Sequence, residues 1–457
     1  MDTALMLFTR DLRTHDNPAL AAAASAADRV VCAFVLDDTL LALSPNRARF
    51  LLGALTDLRG RLESLGGGLV LRHGDPAAEA VKLARETGAT GVFFSEDVSS
   101  YASRRRARLQ EACRKERIEL SGHEGLTVVP PGALRPASGD HYRIFSPYGR
   151  AWLGQARRDP LPPPKLRPPN QRASDSRAAK QPPSSSGKSG PHSVNAERVI
   201  GRFTRGASPD LPKGGETEGR ARMRDWLAGG LSGYADGRDD LAGDSTSRLS
   251  AYLRFGCVSP SELATAVTRE THGRSAEGAE AYIRQLAWRD FHYQLAAAFP
   301  ELGWKDYRPR NTSWVEDRDA LDAWREGRTG VPIVDAGMRQ LRAEGWMHNR
   351  ARLITASFLT RNLRVHWRHG LAHFAGLLVD GDLPNNAANW QRVAGTGNDT
   401  RPNQVMNPLR QAERFDARGE YVRRYVPELA DLDTRDIHTP WETGPVPGYP
   451  PPIVELA

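Results

Sequence analysis

Two carboxylates set two residues apart across a glycine, Asp380-Gly381-Asp382, are followed closely by Asn385, Asn386, Asn389 and Trp390. Upstream, Trp346-Met347-His348-Asn349-Arg350-Ala351-Arg352 runs into Leu353-Ile354-Thr355-Ala356-Ser357-Phe358-Leu359, whose apolar recurrence predicts a buried helix. Asn349 and Arg352, three residues apart, share a face of it. Buried polar groups need partners, and one large polar-edged cofactor would supply many at once. A pair of capped helices explains the same residues, because Asp-Gly-Asp is a common turn and Asn-Asn caps a following helix. The regular carboxylate spacing of an EF-hand is missing, which argues against a calcium loop.

Two further segments bear on the choice. Thr246-Ser247-Arg248-Leu249-Ser250 puts hydroxyls at a predicted helix start. Free backbone N–H groups there suit a diphosphate or an ordinary N-cap. In Tyr282-Ile283-Arg284-Gln285-Leu286-Ala287-Trp288-Arg289-Asp290-Phe291, helical spacing places Gln285, Trp288 and Arg289 on one face. An amide, an indole plane and a guanidinium suit a base edge, stacking and a phosphate. Tryptophans 226, 288, 304, 314, 324, 346, 367 and 390 follow in the same half of the chain; such a run also simply packs a large core.

The elements that must hold these residues fall into two textures. Apolar runs at Ala4–Phe8, Arg29–Leu36, Gly68–Arg72 and Thr90–Ser95 alternate with helical stretches, which implies a doubly wound parallel sheet covered on both faces. Ligands of such sheets bind beyond the strand C-terminal ends, here Thr9, Arg10, Asp37, Asp38 and Glu96. No glycine-rich phosphate fingerprint follows the first strand. Arg104-Arg105-Arg106 and Arg108 read as a solvated helix face. From about Pro130 the chain is loop-rich, and residues 160 to 195 are rich in Pro, Ser, Lys and Arg, as in an extended interdomain linker. From about Glu216 the pattern is helical. The expected domains are therefore 1–130 (α/β), 131–215 (connector) and 216–457 (all-α).

Lys plus Arg number 63 against 55 Asp plus Glu, a net +8 that permits a polyanionic partner. Cys32, Cys113 and Cys257 are scattered, suggesting no disulfide framework or metal set and a reducing compartment. No run is apolar enough to span a membrane, and Met1-Asp2-Thr3-Ala4 lacks the basic lead of a signal peptide. A cytoplasmic monomer is expected.

Thr-Ser-x-Leu-Ser, Gln-Leu-x-Trp-Arg-Asp-Phe, Trp-Met-His-Asn-Arg and Asp-Gly-Asp with Asn and Trp, in this order, closely resemble the DNA photolyase and cryptochrome family from the first strand to about Trp441. The resemblance implies an α/β antenna domain, a long connector and an all-helical domain burying a bent FAD. Tyr234, Thr246, Ser247, Arg248, Leu249 and Ser250 match its phosphate-binding positions. Asn349, Arg352, Asp380 and Asp382 match positions around ribose, adenine and isoalloxazine, and Asn386 the residue facing flavin N5. Trp390, Trp367 and Trp314 match an electron-hopping chain to the surface. The implied reaction is light-driven splitting of pyrimidine dimers in DNA by an electron from excited reduced FAD. Trp288 would stack on the flipped dimer. Gln285, Asn349 and Arg350 would line its hydrogen-bonding edge, and Arg238, Arg289 and Gln411 would hold lesion or backbone.

The departures from the family pattern fall on the substrate side. Gln285 stands where many dimer-repairing members have glutamate, and glutamine also occurs in branches repairing the (6-4) lesion. Leu353 replaces a methionine, and Arg392 a tryptophan, losing an apolar wall but adding a phosphate ligand. The loop Asn403-Gln404-Val405-Met406-Asn407-Pro408 looks shortened. A cryptochrome-like blue-light sensor, or a photolyase with a shifted lesion preference such as (6-4) products, is thus the alternative; against a sensor, Trp288, Asn349 and Arg350 remain and no long C-terminal signalling tail is expected. Leu41 and Arg104 stand where folate-binding members have histidine and glutamate, which argues against folate and leaves two alternatives: a deazaflavin antenna contacted by Arg10, Asp37 and Arg47, or an empty site.

Overall fold

The structure is a computed structural model that describes residues 1–167, 193–272, 275–398 and 404–456. The N-terminal part is a five-stranded parallel sheet of order β3-β2-β1-β4-β5: β1 (Thr3–Phe8), β2 (Arg29–Leu36), β3 (Leu69–His73), β4 (Gly91–Ser95) and β5 (Glu119–His123). Alternate residues of β1 feed opposite cores. Ala4, Met6 and Phe8 pack on one side, Leu5 and Leu7 on the other, as a sheet covered on both faces requires. The fifth strand escaped the sequence reading because Glu-Leu-Ser-Gly-His has no apolar run. It is an edge strand, less buried than its neighbours, where polar residues blunt further pairing.

The helices start where the sequence offers caps. Asn17, Ser44, Asp75 and Ser99 each accept a backbone N–H from the first turn of the helices at Pro18–Ala26, Pro45–Ser64, Pro76–Thr87 and Ser100–Glu116. The basic run on the last of these is mostly paired, Arg106 with Glu96 and Arg108 with Asp75, while Arg105 is buried. Beyond residue 130 the connector holds a helix, Phe145–Leu153, that the sequence reading had taken for loop. Trp152 explains its place. The indole Nε1 donates to Asp290 Oδ2 at 2.9 Å. The same oxygen accepts the N–H groups of Val128 and Val129, each at 2.9 Å. Burial pushes the Asp290 carboxyl up to about 6 in spite of these donors and the neighbouring Arg289.

The expected interdomain linker is described only at its two ends. Leu166 N donates to Leu65 O, and Val194 N donates to Leu71 O. Both ends of the segment are therefore fastened to the α/β domain; residues 168–192 themselves lie outside the described residues. From Glu216 onward no described residue is in a strand.

The two domains meet through buried polar groups rather than an apolar face alone. Arg13 donates to the carbonyls of Asp16, Gly125 and Gly256. Gly256 ends the Ser250–Phe255 helix with φ +66°, and a Cβ there would lie 1.9 Å from the Arg10 carbonyl oxygen, so both backbone angle and space demand glycine. Glu216, fully buried, accepts from Thr14 N and Oγ1, from His15 N, and from Arg61 Nε at 2.7 Å. Burial alone would raise its carboxyl; the bonds from His15 and Thr14 and the charge of Arg61 outweigh burial and hold it below the usual glutamate range.

Glu216→Gln should cost about 3 kcal/mol at neutral pH, because it leaves donors facing an amide in a buried site. A depressed folded pKa contributes stability above the unfolded value of about 4.3, and that contribution is lost as pH falls through the folded value. Denaturant melts should therefore show the two proteins far apart at neutral pH and converging in acid.

Candidate active site

Asp380-Gly381-Asp382 links the Trp367–Leu377 helix to the Leu383–Ala394 helix. Both aspartates are 7% exposed. Asp380 Oδ2 accepts from Arg352 Nη2 at 2.8 Å. Asp382 Oδ2 accepts from the Tyr293 hydroxyl at 2.8 Å and from Asn385 Nδ2 at 3.0 Å. The second oxygen of each carboxylate is buried without a hydrogen-bond partner, as is Thr246 Oγ1. Carboxylate oxygens held out of water and short of donors are costly; they suit a ligand that brings its own N–H or O–H groups.

Cations surround this turn. Arg10, at the end of β1, reaches across the domain boundary to Asp97 (3.2 Å), the Tyr293 hydroxyl (2.8 Å) and the Arg254 carbonyl, with Asp382 Oδ1 3.5 Å away. Arg47 donates to the Ala375 and Leu378 carbonyls, and Arg254 to the Gly381 carbonyl. Burial, reinforced by Arg10 and Arg47, pushes Arg254 down to about 9, and burial pushes Arg47 down to about 10. For Arg10 the burial cost is outweighed by Tyr293, Asp97 and Asp382, which hold it above its ordinary value. Guanidinium groups outnumber carboxylates here, and the resulting field favours an anionic guest.

Three cavities adjoin these residues. One of about 80 Å³ is lined by Asn349, Arg352, Asp380, Asp382, Asn386 and Trp390. A second, of about 310 Å³, has Ser250, Gln285, Trp288 and Arg289 on its wall and shares Asn349, Arg352, Asp380 and Asp382 with the first. The third, of about 540 Å³, lies against Thr246, Ser247, Trp226 and the glycines 229, 230 and 233. Behind it Tyr234, Tyr282 and Trp226 form an edge-to-face cluster, and the Tyr282 hydroxyl is 2.8 Å from Ser247 Oγ. Ser250 Oγ accepts from Trp346 Nε1 at 3.2 Å. His348 caps the Asn349–Ser357 helix through Nδ1, which accepts the Arg350 N–H. Burial pushes its pKa down to about 4, so the ring is neutral and free to accept.

Several expected residues are committed elsewhere. Arg248 pairs with Asp244 and Glu344 and lies over the Trp346 ring. Leu249 is core. Arg350 pairs with Asp239 at 2.9 Å and lies over Phe415. Arg289 lines the second cavity but donates to the Leu126 carbonyl and the Tyr293 hydroxyl. Arg238 ends the short Tyr234–Gly237 helix, and Gln411 sits on the Pro408–Phe415 helix with Oε1 buried and unpaired; neither lines these cavities. Of the three residues expected at a deazaflavin, Arg10 bonds Asp97, Tyr293 and the Arg254 carbonyl, and Arg47 bonds the Ala375 and Leu378 carbonyls. Asp37, the third, caps its helix and accepts the Tyr101 hydroxyl. Of the loop expected to be shortened, Asn403 lies outside the described residues; Met406 N donates to Ser357 Oγ, and Asn407 caps the next helix.

The sequence reading passed over His292 and Tyr293, and it named Asn385 and Asn389 without giving them a role. His292 continues the face of Gln285, Trp288 and Arg289 by one more helical step, so that spacing could have found it. Burial drives its pKa to about 4, and its neutral ring donates from Nδ1 to Asn385 Oδ1 at 2.9 Å. Asn385 in turn donates to Asp382. Asn389 lines both smaller cavities.

The three tryptophans run outward. Trp390 is 2% exposed and Trp367 0%, while Trp314 is partly exposed. Gly370, one turn after Trp367, lets the Trp390 indole lie flush on the helix: a Cβ there would be 2.1 Å from Trp390 Cη2. Trp367 Nε1 donates to Asp306 at 2.8 Å. The His366 ring lies 5.6 Å from the Trp367 ring and 4.9 Å from that of Trp314.

Comparison with known proteins agrees with this arrangement. A family model described as DNA photolyase matches residues 4–166, and one described as the FAD binding domain of DNA photolyase matches residues 282–457. A deoxyribodipyrimidine photo-lyase of Streptomyces griseus is 46% identical, over 100% of this chain and 97% of its own. A cryptochrome DASH of Gloeobacter violaceus is 33% identical, over 99% and 93%. The crystal structure of a bacterial class III photolyase from Agrobacterium tumefaciens superposes with a TM-score of 0.88 at 33% identity, covering 100% of this chain and 95% of that one.

Arg352→Ala strips Asp380 of its guanidinium donor and should destabilise the protein by about 3 kcal/mol, with a parallel fall in cofactor retained on purification. Melting curves and the visible absorbance per chain check both.

Proposed function

This chain belongs to the DNA photolyase and cryptochrome family, and from that premise we propose that it is a light-driven DNA repair flavoenzyme acting on cyclobutane pyrimidine dimers. One observation carries the reading: Asn349, Arg352, Asp380, Asp382, Asn385 and Asn389 line both the carboxylate cradle and the pocket holding Gln285 and Trp288. A cofactor in the first would share a wall with a substrate in the second.

The donor-poor carboxylates fit FAD, which brings ribose hydroxyls and ring N–H groups. Asp380, Asp382, Arg352, Asn349 and Asn386 would hold its rings, and Thr246, Ser247 and Ser250 its diphosphate. When bound, FAD supplies the light-absorbing electron donor for dimer splitting. The protein does the rest by placement. Trp288 offers a stacking plane to bases flipped from the duplex, a cost lowered because damaged bases stack poorly. Gln285 donates an amide N–H to a dimer carbonyl but gives up no proton. His292 stays neutral and steadies Asn385, which fixes Asp382. The cationic surround of Arg10, Arg47 and Arg254 favours a negatively charged cofactor. Trp390, Trp367 and Trp314 form the hopping chain, and Asp306 stabilises positive charge on the Trp367 indole through its hydrogen bond. The enzyme works as a cytoplasmic monomer on damaged DNA; no helix among the described residues is long and apolar enough to cross a membrane. An antenna chromophore, deazaflavin rather than folate, would sit at the strand ends by Asp37 without help from Arg10 or Arg47.

The test is repair under blue light of oligonucleotides carrying either a cyclobutane dimer or a (6-4) lesion. Loss of the cyclobutane dimer is expected; loss of neither lesion sinks the reading. Gln285→Glu should hold or improve cyclobutane repair, since the carboxylic acid is the commoner donor there, and a sharp drop would show the amide selected for another lesion. Trp367→Phe should remove most of the light-driven reduction of oxidised flavin while chemically reduced protein repairs at the unchanged rate.

A further inference from the structure

Four side chains form a stack along the wall of the second cavity. The Arg392 guanidinium lies 5.4 Å from the Trp288 indole centroid. The Trp288 and Phe145 rings are parallel to within 7° and 3.7 Å apart. The Arg284 guanidinium lies 5.5 Å from the Phe145 centroid. Phe145 and Arg284 belong to an outer groove of about 950 Å³, whereas Arg392 lines the inner cavity with Trp288. The phenyl ring therefore takes the groove side of the indole and the guanidinium takes its cavity side.

The two neighbours of the indole differ in freedom. Phe145 is buried and begins the helix that Trp152 and Asp290 pin down. Arg392 is partly exposed, and among the described residues its side chain has neither an ion pair nor a hydrogen bond; its contact is the indole face. Its charge is felt by His292, where it adds to burial in keeping the ring neutral. A guanidinium resting on an aromatic face is held weakly when solvent reaches it, and it binds a phosphate oxygen more strongly, through charge-assisted, often paired hydrogen bonds.

We propose that Arg392 is a specificity-determining cap. In the free protein it covers the cavity face of Trp288. When flipped bases enter, they take that face, and the guanidinium turns to a phosphodiester of the flipped nucleotides. Phe145 keeps the indole plane fixed through the exchange. The proposal rests on the reading that the second cavity receives flipped bases.

The test compares the wild-type protein with Arg392→Ala and Arg392→Lys. Binding of an oligonucleotide with a single cyclobutane dimer, and of its undamaged counterpart, is measured over a salt series. For Arg392→Ala the slope of log affinity against log salt for damaged DNA should become shallower by about one. Its affinity for damaged DNA should fall about tenfold, the worth of one charge-assisted hydrogen bond. Arg392→Lys should keep the slope, with affinity between the two, and undamaged DNA should show the smaller change. An unchanged slope, or tighter binding of damaged DNA by Arg392→Ala, would make the arginine a mere obstruction and overturn the proposal. Wild-type protein that does not prefer damaged DNA would overturn the underlying reading of the cavity, whatever the variants do.

Discussion

The structure depends on the ion pairing between Arg10 and the Asp380-Gly381-Asp382 turn. Arg10 comes from the first strand of the α/β domain, and Asp382 from the helical domain. Arg10 keeps Asp97 as a partner within its own domain, whereas Asp382 without Arg10 would lose the cation nearest its second oxygen, a costly change for a buried carboxylate. Because Tyr293, Asp97 and Asp382 share the guanidinium, the domain boundary and the cofactor cradle are one polar network. The carboxylates are held by Arg352, Tyr293 and Asn385 of the helical domain, and the second oxygen of each is left without a hydrogen bond.

The second pocket obeys another logic. Its polar groups are held neutral or pre-paired. His292 is kept uncharged by burial, Gln285 carries no charge, and Arg289 is bound to a carbonyl and a hydroxyl. The wall it shares with the cradle carries Arg352, Asp380 and Asp382, and on the side of Trp288 the cation without a hydrogen bond or ion pair among the described residues is Arg392. On the proposed reading, a neutral dimer on Trp288 would meet amide and indole, with Arg392 beside it.

Much of this was legible in the sequence. The parallel sheet, the helical remainder and the residues gathered around Asp380 and Asp382 follow from apolar runs, glycine placement and motif order. What the sequence hid has physical causes. The edge strand β5 carries polar residues and gives no hydrophobic signal. The Phe145–Leu153 helix is held by a tertiary bond from Trp152 to Asp290 rather than by local propensity. Arg248 and Arg350 match ligand positions, and in the fold Asp244 and Glu344 pair with the first and Asp239 with the second. Arg10 and Arg47 sit at strand-end and helix-start positions that suggest a bound chromophore, and only the packing of one domain on the other shows where they turn.

The fastening of the proline- and serine-rich stretch changes its meaning. Leu166 is fastened beside Leu65 and Val194 beside Leu71, so the two described anchors that flank it belong to one body. Closing a longer or shorter loop between fixed points changes stability only slowly with length. Its length and composition can thus drift, or accept an inserted peptide, without altering how the sheet meets the catalytic helices.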